Sequence, residues 1–226
     1  MCYFALSITT PEFKPLIPSI TPGLRSCGNG NRIVGGGNAQ ANSWPWIVFL
    51  RFELFHDGRL IDGGFCGGTI IENGWILTAA HCCQGMAKVF MSFGQHDREN
   101  DQEAGEFNLT IEPADFSSHV FIHDSYTDHS DGSGNNFDVC LLKATVPDLF
   151  AIGNRHRCGD GCMNAACLPT KPGAHGDACW VAGWGKTSFA GSTAAILQEV
   201  GVNLLSDDYC KANSYANLRS VFSKII

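Results

Sequence analysis

Apolar residues fall along this chain in short runs bounded by glycine, asparagine and aspartate. Nine runs, at 46–54, 68–71, 75–80, 88–93, 108–111, 120–123, 138–143, 178–183 and 197–204, read as β-strands. Runs of that length, broken by turn residues, predict a sandwich or a barrel rather than a helical bundle. The strand starting at Trp75 runs into a short cysteine-rich turn around His81. Ser206-Asp207-Asp208-Tyr209-Cys210 starts like a helix, with Ser206 as a cap and two carboxylates at the positive end of the dipole. Residues 1–32 are different. Pro11, Pro15, Pro18 and Pro22 punctuate them, and Gly28-Asn29-Gly30-Asn31 closes them, so they read as an irregular leader before a single domain at 33–226.

Composition agrees with a compact, turn-rich β protein: 44% of residues are hydrophobic, 16% are charged, and 26 of the 226 are glycine. The net charge of −7, with no cluster of lysine and arginine, argues against nucleic acid as a partner. No stretch has the length of a membrane span. Met1-Cys2-Tyr3-Phe4-Ala5-Leu6-Ser7-Ile8 is apolar, but it lacks the basic start and small-residue cleavage site of a good signal peptide. Eleven cysteines nevertheless point to an oxidising, extracellular compartment and several disulfides.

Four motifs follow one another in order. The first is Arg32-Ile33-Val34-Gly35-Gly36 with Trp44-Pro45-Trp46. The second is Leu77-Thr78-Ala79-Ala80-His81-Cys82, and the third is Asn135-Asn136-Phe137-Asp138-Val139-Cys140-Leu141-Leu142-Lys143. The fourth is Cys179-Trp180-Val181-Ala182-Gly183-Trp184-Gly185. From Ile33 to about Tyr215 the chain resembles the chymotrypsin/trypsin family of serine endopeptidases. The tail at 220–226 departs from the family's pattern. The resemblance implies an all-β fold of two six-stranded Greek-key barrels, the first complete and the second cut roughly half-way. It also implies peptide-bond hydrolysis on polypeptide substrates, with no cofactor and no metal.

By the same resemblance, His81 is the general base and Asp138 the carboxylate that orients it. A lone carboxylate leading into the apolar Val139-Cys140-Leu141-Leu142 run is costly unless it is paired. Phe137 and Cys140 depart from the family's usual residues there. Arg32-Ile33 resembles a zymogen cleavage site, which implies an activating protease of trypsin-like preference. The resemblance further implies disulfides Cys66–Cys82 and Cys27–Cys167. Cys158 and Cys162 share a short inserted loop and can bridge each other. Cys179 and Cys210 resemble cysteines whose usual partners lie further along the family's sequence, while Cys2, Cys83 and Cys140 have no obvious partner. A zinc set of His156, Cys158, Cys162 and Cys167 matches no common finger spacing, and disulfides account for these residues better.

The family's nucleophile stands in Gly-Asp-Ser-Gly-Gly-Pro, and that string is absent from these residues. Ser188, Ser192, Ser206, Ser214, Ser220 and Ser223 follow Asp138 without its flanking residues. Asp131-Gly132-Ser133-Gly134 stands at the wrong place in the chain and reads as a solvated loop. Without the nucleophile the covalent pathway is closed, so the chain by itself is expected to be inactive. The competing expectation is a non-catalytic homologue that acts as a secreted binding protein. Asn108-Leu109-Thr110 is an N-glycosylation sequon. The acidic stretch 97–106 falls where some family members hold calcium, but it reads as a solvated loop.

Overall fold

The computed structural model describes residues 36–100, 106–128, 137–153, 163–171, 173–187 and 191–206. Ten strands carry the described chain: β1 (Gly37–Asn38), β2 (Ile47–His56), β3 (Arg59–Glu72), β4 (Trp75–Thr78), β5 (Met86–Phe93), β6 (Phe107–Ile111), β7 (Val120–Ile122), β8 (Cys140–Lys143), β9 (Ala178–Gly183) and β10 (Gln198–Asn203). Short helices α1 (Ala80–Cys83), α2 (Phe116–His119) and α3 (Leu149–Gly153) interrupt them. The fold is all-β, as the sequence indicates. Seven strands form one antiparallel sheet in the order β6-β5-β2-β3-β4-β8-β7, and three form a second in the order β1-β10-β9.

All nine expected strands are present, with edges shifted by a few residues. The largest difference is β3, which extends back to Arg59 from the expected start at 68. Its glycines and charges hide the apolar signal, but the backbone pairs with β2 from Ile47↔Thr69 to His56↔Arg59. The hairpin turn is Asp57-Gly58, both at positive φ, the conformation a tight two-residue connection requires. The expected helix after Ser206 lies outside the described residues, as do the leader and the 131–136 loop.

Strand β5 shows how the pattern becomes structure. Its residues alternate between buried and half-buried positions, and Val89, Met91 and Phe93 point into the main core. Strand β2 is buried on both faces over Val48–Leu50. Val48 and Leu50 join that core, while Phe49 turns the other way and packs edge-on against Trp184, 5.2 Å between ring centroids. Gly68 is there for closeness: a Cβ would lie 2.7 Å from Ile76 Cγ2, inside van der Waals contact.

The two sheets are joined by the segment after β5. His96 O accepts from Leu197 N and from Trp184 Nε1, and Arg98 Nε donates to Ala194 O at 2.7 Å. Buried Gln95 donates its amide to Asp97 O and Asn100 O, so a side chain of the protein fills the inside of that turn.

For the site, the decisive feature is the crossover. The chain leaves β4, passes through α1, and returns as β5 on the far side of β2. Strand β8 pairs with the β4 it has left, with Thr78 opposite Cys140. An antiparallel register of that kind brings the residues just after Thr78 next to those just before Cys140.

Candidate active site

Those residues are His81 and Asp138. His81 is on α1, and Asp138 lies two residues ahead of β8. His81 Nδ1 is 2.7 Å from Asp138 Oδ2, and the His81 backbone N–H donates to Asp138 Oδ1 at 2.8 Å. Asp138 is only 5% exposed. A buried carboxylate demands hydrogen-bond donors, and the chain supplies two from a single residue.

The backbone bond has a local cause. The first N–H groups of a helix have no partner within it. Residue Ala79, which precedes α1, has no side chain to cap them. Asp138 takes that part from across the sheet. The carboxylate therefore fixes the backbone of His81 with one oxygen and its ring with the other.

The ring's chemistry follows. A carboxylate only accepts, so Nδ1 carries the proton and Nε2 keeps its lone pair. The side chain of His81 is one-third exposed, so that pair can be reached from solvent. An imidazole held this way can take a proton from an attacking hydroxyl and return it to a leaving group.

Two disulfides hold α1 in place. Cys66–Cys82 ties it to β3, as the resemblance implies. Cys83–Cys140 ties it to the start of β8, which corrects the expectation that neither cysteine has an obvious partner. Cys83 stands two residues after His81 and Cys140 two after Asp138, so the β4–β8 register brings their Cα atoms to 6.6 Å. Adjacent cysteines thus pull one turn toward two different strands. The sequence carried a signal for this bond: Cys140 departs from the family's pattern just where the Asp138 strand meets the histidine turn.

Phe137 sits at φ +51, a conformation unfavourable for a bulky residue, and its ring stacks on His123 with centroids 4.9 Å apart. Val139 N donates to Phe137 O at 2.7 Å, closing a tight turn around Asp138. The aromatic that departs from the family pattern is therefore used to hold that turn. Tyr126 borders the site, its hydroxyl donating to Gln84 Oε1. Burial, followed by the negative charges of Asp138 and Asp128, pushes its phenol up to about 12, so it remains a neutral donor through the physiological range.

Other expected residues fall elsewhere. Asn108 is exposed on β6, its amide donating to Glu106 Oε1. Cys167 is exposed and forms no disulfide among the described residues. Arg32, Ile33, Cys27, Cys158, Cys162, His156, Cys210 and the 131–134 decoy lie outside the described residues. So do Ser188, Ser214, Ser220 and Ser223.

Residues 33–224 match the Trypsin family, and the chain belongs to it. The match runs past Tyr215 into the tail that the sequence had read as departing from the pattern. Mouse ovochymase-2 is 33% identical over 188 residues, covering 80% of this chain and 26% of that protein. The chain thus spans about a quarter of the length of that curated relative. A solved structure described as GrC superposes with a TM-score of 0.60 at 24% identity, over 81% of this chain and 70% of the other, a likeness of fold. The family is one of serine proteases, whose substrates are polypeptides.

The Cys83–Cys140 bond closes a separation of 57 residues. Loop-closure entropy puts its contribution at about 4 kcal/mol. The Cys83→Ala/Cys140→Ala double variant should lose stability of that order in urea denaturation, with its midpoint clearly lowered. A midpoint equal to the parent's would show that the bond does not restrain the His81 turn.

Proposed function

We propose that this chain carries two of the three catalytic residues of a secreted serine endopeptidase. His81 is the general base, and Asp138 holds its tautomer and stabilises the imidazolium. The observation that carries this reading is the double contact of buried Asp138 with the backbone and ring of His81. Hydrolysis would run through an acyl-enzyme formed on a serine in the family's Gly-Asp-Ser-Gly-Gly-Pro context, a string not present in these 226 residues. The 226 residues alone are inactive on this reading. Two disulfides beside the site support an oxidising, extracellular setting. Exposed Asn108 is available for glycosylation there. No helix among the described residues is long and apolar enough to cross a membrane.

The test compares two polypeptides. The 226-residue chain should not react with a fluorophosphonate probe. The product of a transcript that continues through Gly-Asp-Ser-Gly-Gly-Pro should react. His81→Ala should abolish that labelling and lower kcat on peptides by roughly 10⁶. A transcript with a verified stop after Ile226 would favour the non-catalytic binding homologue instead. Robust labelling of the 226-residue chain, lost on His81→Ala, would place the nucleophile within it and overturn the assignment made here.

The same reading assigns Arg32-Ile33 as an activation site cut by a trypsin-like protease. It also pairs Cys27 with Cys167, whose exposed thiol is in reach of a partner. Limited trypsin treatment should cut after Arg32, and the leader should come free only under reduction. Release without reductant would refute that pairing.

A further inference from the structure

The general base and the disulfide beside it form a second constellation. Cys82 Sγ lies 3.4 Å from His81 Nε2, the nitrogen that keeps its lone pair. The ligating atoms of Cys66, His81 and Cys82 all fall within 4.8 Å of one another. In the oxidised protein the two sulfurs are bonded to each other and offer a metal nothing.

We propose that reduction of Cys66–Cys82 turns this corner into a binding site for a thiophilic divalent cation of the zinc type, held by Cys66, Cys82 and His81. Three observations carry it. The first is spacing. Zinc takes sulfur at about 2.3 Å and imidazole nitrogen at about 2.0–2.1 Å, so in a tetrahedral site the two ligand atoms stand about 3.5 Å apart. The Cys82–His81 contact already has that separation. The second is orientation. A metal-binding histidine commonly donates its other N–H to a carboxylate, which fixes the tautomer and raises the basicity of the ligating nitrogen. The Asp138 contact supplies that arrangement at 2.7 Å. The third is access. Cys82 is buried, but its partner Cys66 and His81 are partly exposed, whereas both cysteines of the second disulfide are buried, so a reductant reaches Cys66–Cys82 first and the crosslink from α1 to β8 persists.

The chemistry balances with a trialkylphosphine as reductant. The phosphine and one water convert the disulfide to two thiols and are themselves converted to the phosphine oxide. Phosphorus is oxidised and the S–S bond is broken. The cation then binds both thiolates and Nε2, and the two thiol protons pass to solvent. Water completes the fourth position. The bound cation would occupy the lone pair that takes the serine proton, so hydrolysis would stop. That consequence rests on the proteolytic reading; the metal site does not.

Cobalt(II) is a suitable probe, because thiolate ligation gives it strong near-ultraviolet charge-transfer absorption. The full 226-residue chain is reduced anaerobically with a trialkylphosphine, freed of reagent, and titrated. The oxidised chain should show no such band. The reduced chain should bind one equivalent of cobalt, which zinc displaces. Cys66→Ser and Cys82→Ser should each abolish the band, and His81→Ala should weaken binding at least tenfold and shift the ligand-field bands. Because the readout is spectroscopic, it is independent of whether the protein cleaves peptides. Reduced His81→Ala with the parent's affinity and spectrum, or an undiminished band in Cys66→Ser, would overturn the proposal. So would a reduced chain that loses its native near-ultraviolet circular dichroism and does not regain it with cobalt.

Discussion

One carboxylate organises the corner of the molecule around His81. Asp138 accepts from the backbone of His81 and from its ring, and both bonds are made in a buried setting where an unpaired charge would be costly. Remove the carboxylate and two things fail together: the first turn of α1 loses its cap, and the imidazole loses the partner that selects its tautomer. The structure around it can be understood as the means of keeping that carboxylate and that turn in register. The β4–β8 pairing aligns their backbones, the tight turn at Phe137 aims Asp138, and Thr78, buried one strand-end away, donates to Gly67 O to hold β4 against β3.

The disulfides add a covalent layer to the same restraint. A helix of four residues has almost no stability of its own, since nucleation is costly and few bonds repay it. Cys82 and Cys83 compensate by fastening it to β3 and β8. His81 precedes both anchors directly, so the imidazole projects from a turn with little freedom to drift. The same closeness brings a sulfur to His81 Nε2 at 3.4 Å, so a change of redox state would act on the residue proposed as the general base.

Much of this was readable before any coordinates. Short apolar runs bounded by turn residues located every strand of the main sheet, because the buried part of each strand is apolar. The Thr-Ala-Ala-His-Cys and Asp-Val-Cys-Leu-Leu strings placed the two site residues through their resemblance to a known family. Other features were hidden for physical reasons. The first half of β3 carries glycine and charge on a partly exposed hairpin, so pairing rather than hydrophobicity defines it. The two-residue strand β1 exists only through its pairing with β10. Cys83–Cys140 depends on a contact across 57 residues that no local pattern encodes, although the resemblance had already placed His81 beside Asp138 and with them the two cysteines. The buried capping role of Asp138 required knowing that Ala79 leaves α1 without a cap.

The most direct test is the protonation of the His81 ring in the folded protein, read by nitrogen-15 NMR of the imidazole. The account predicts a proton on Nδ1, shifted far downfield by the carboxylate, and an unprotonated Nε2, with the downfield signal lost in Asp138→Asn. A native ring protonated on Nε2, with a spectrum indifferent to Asp138→Asn, would contradict it.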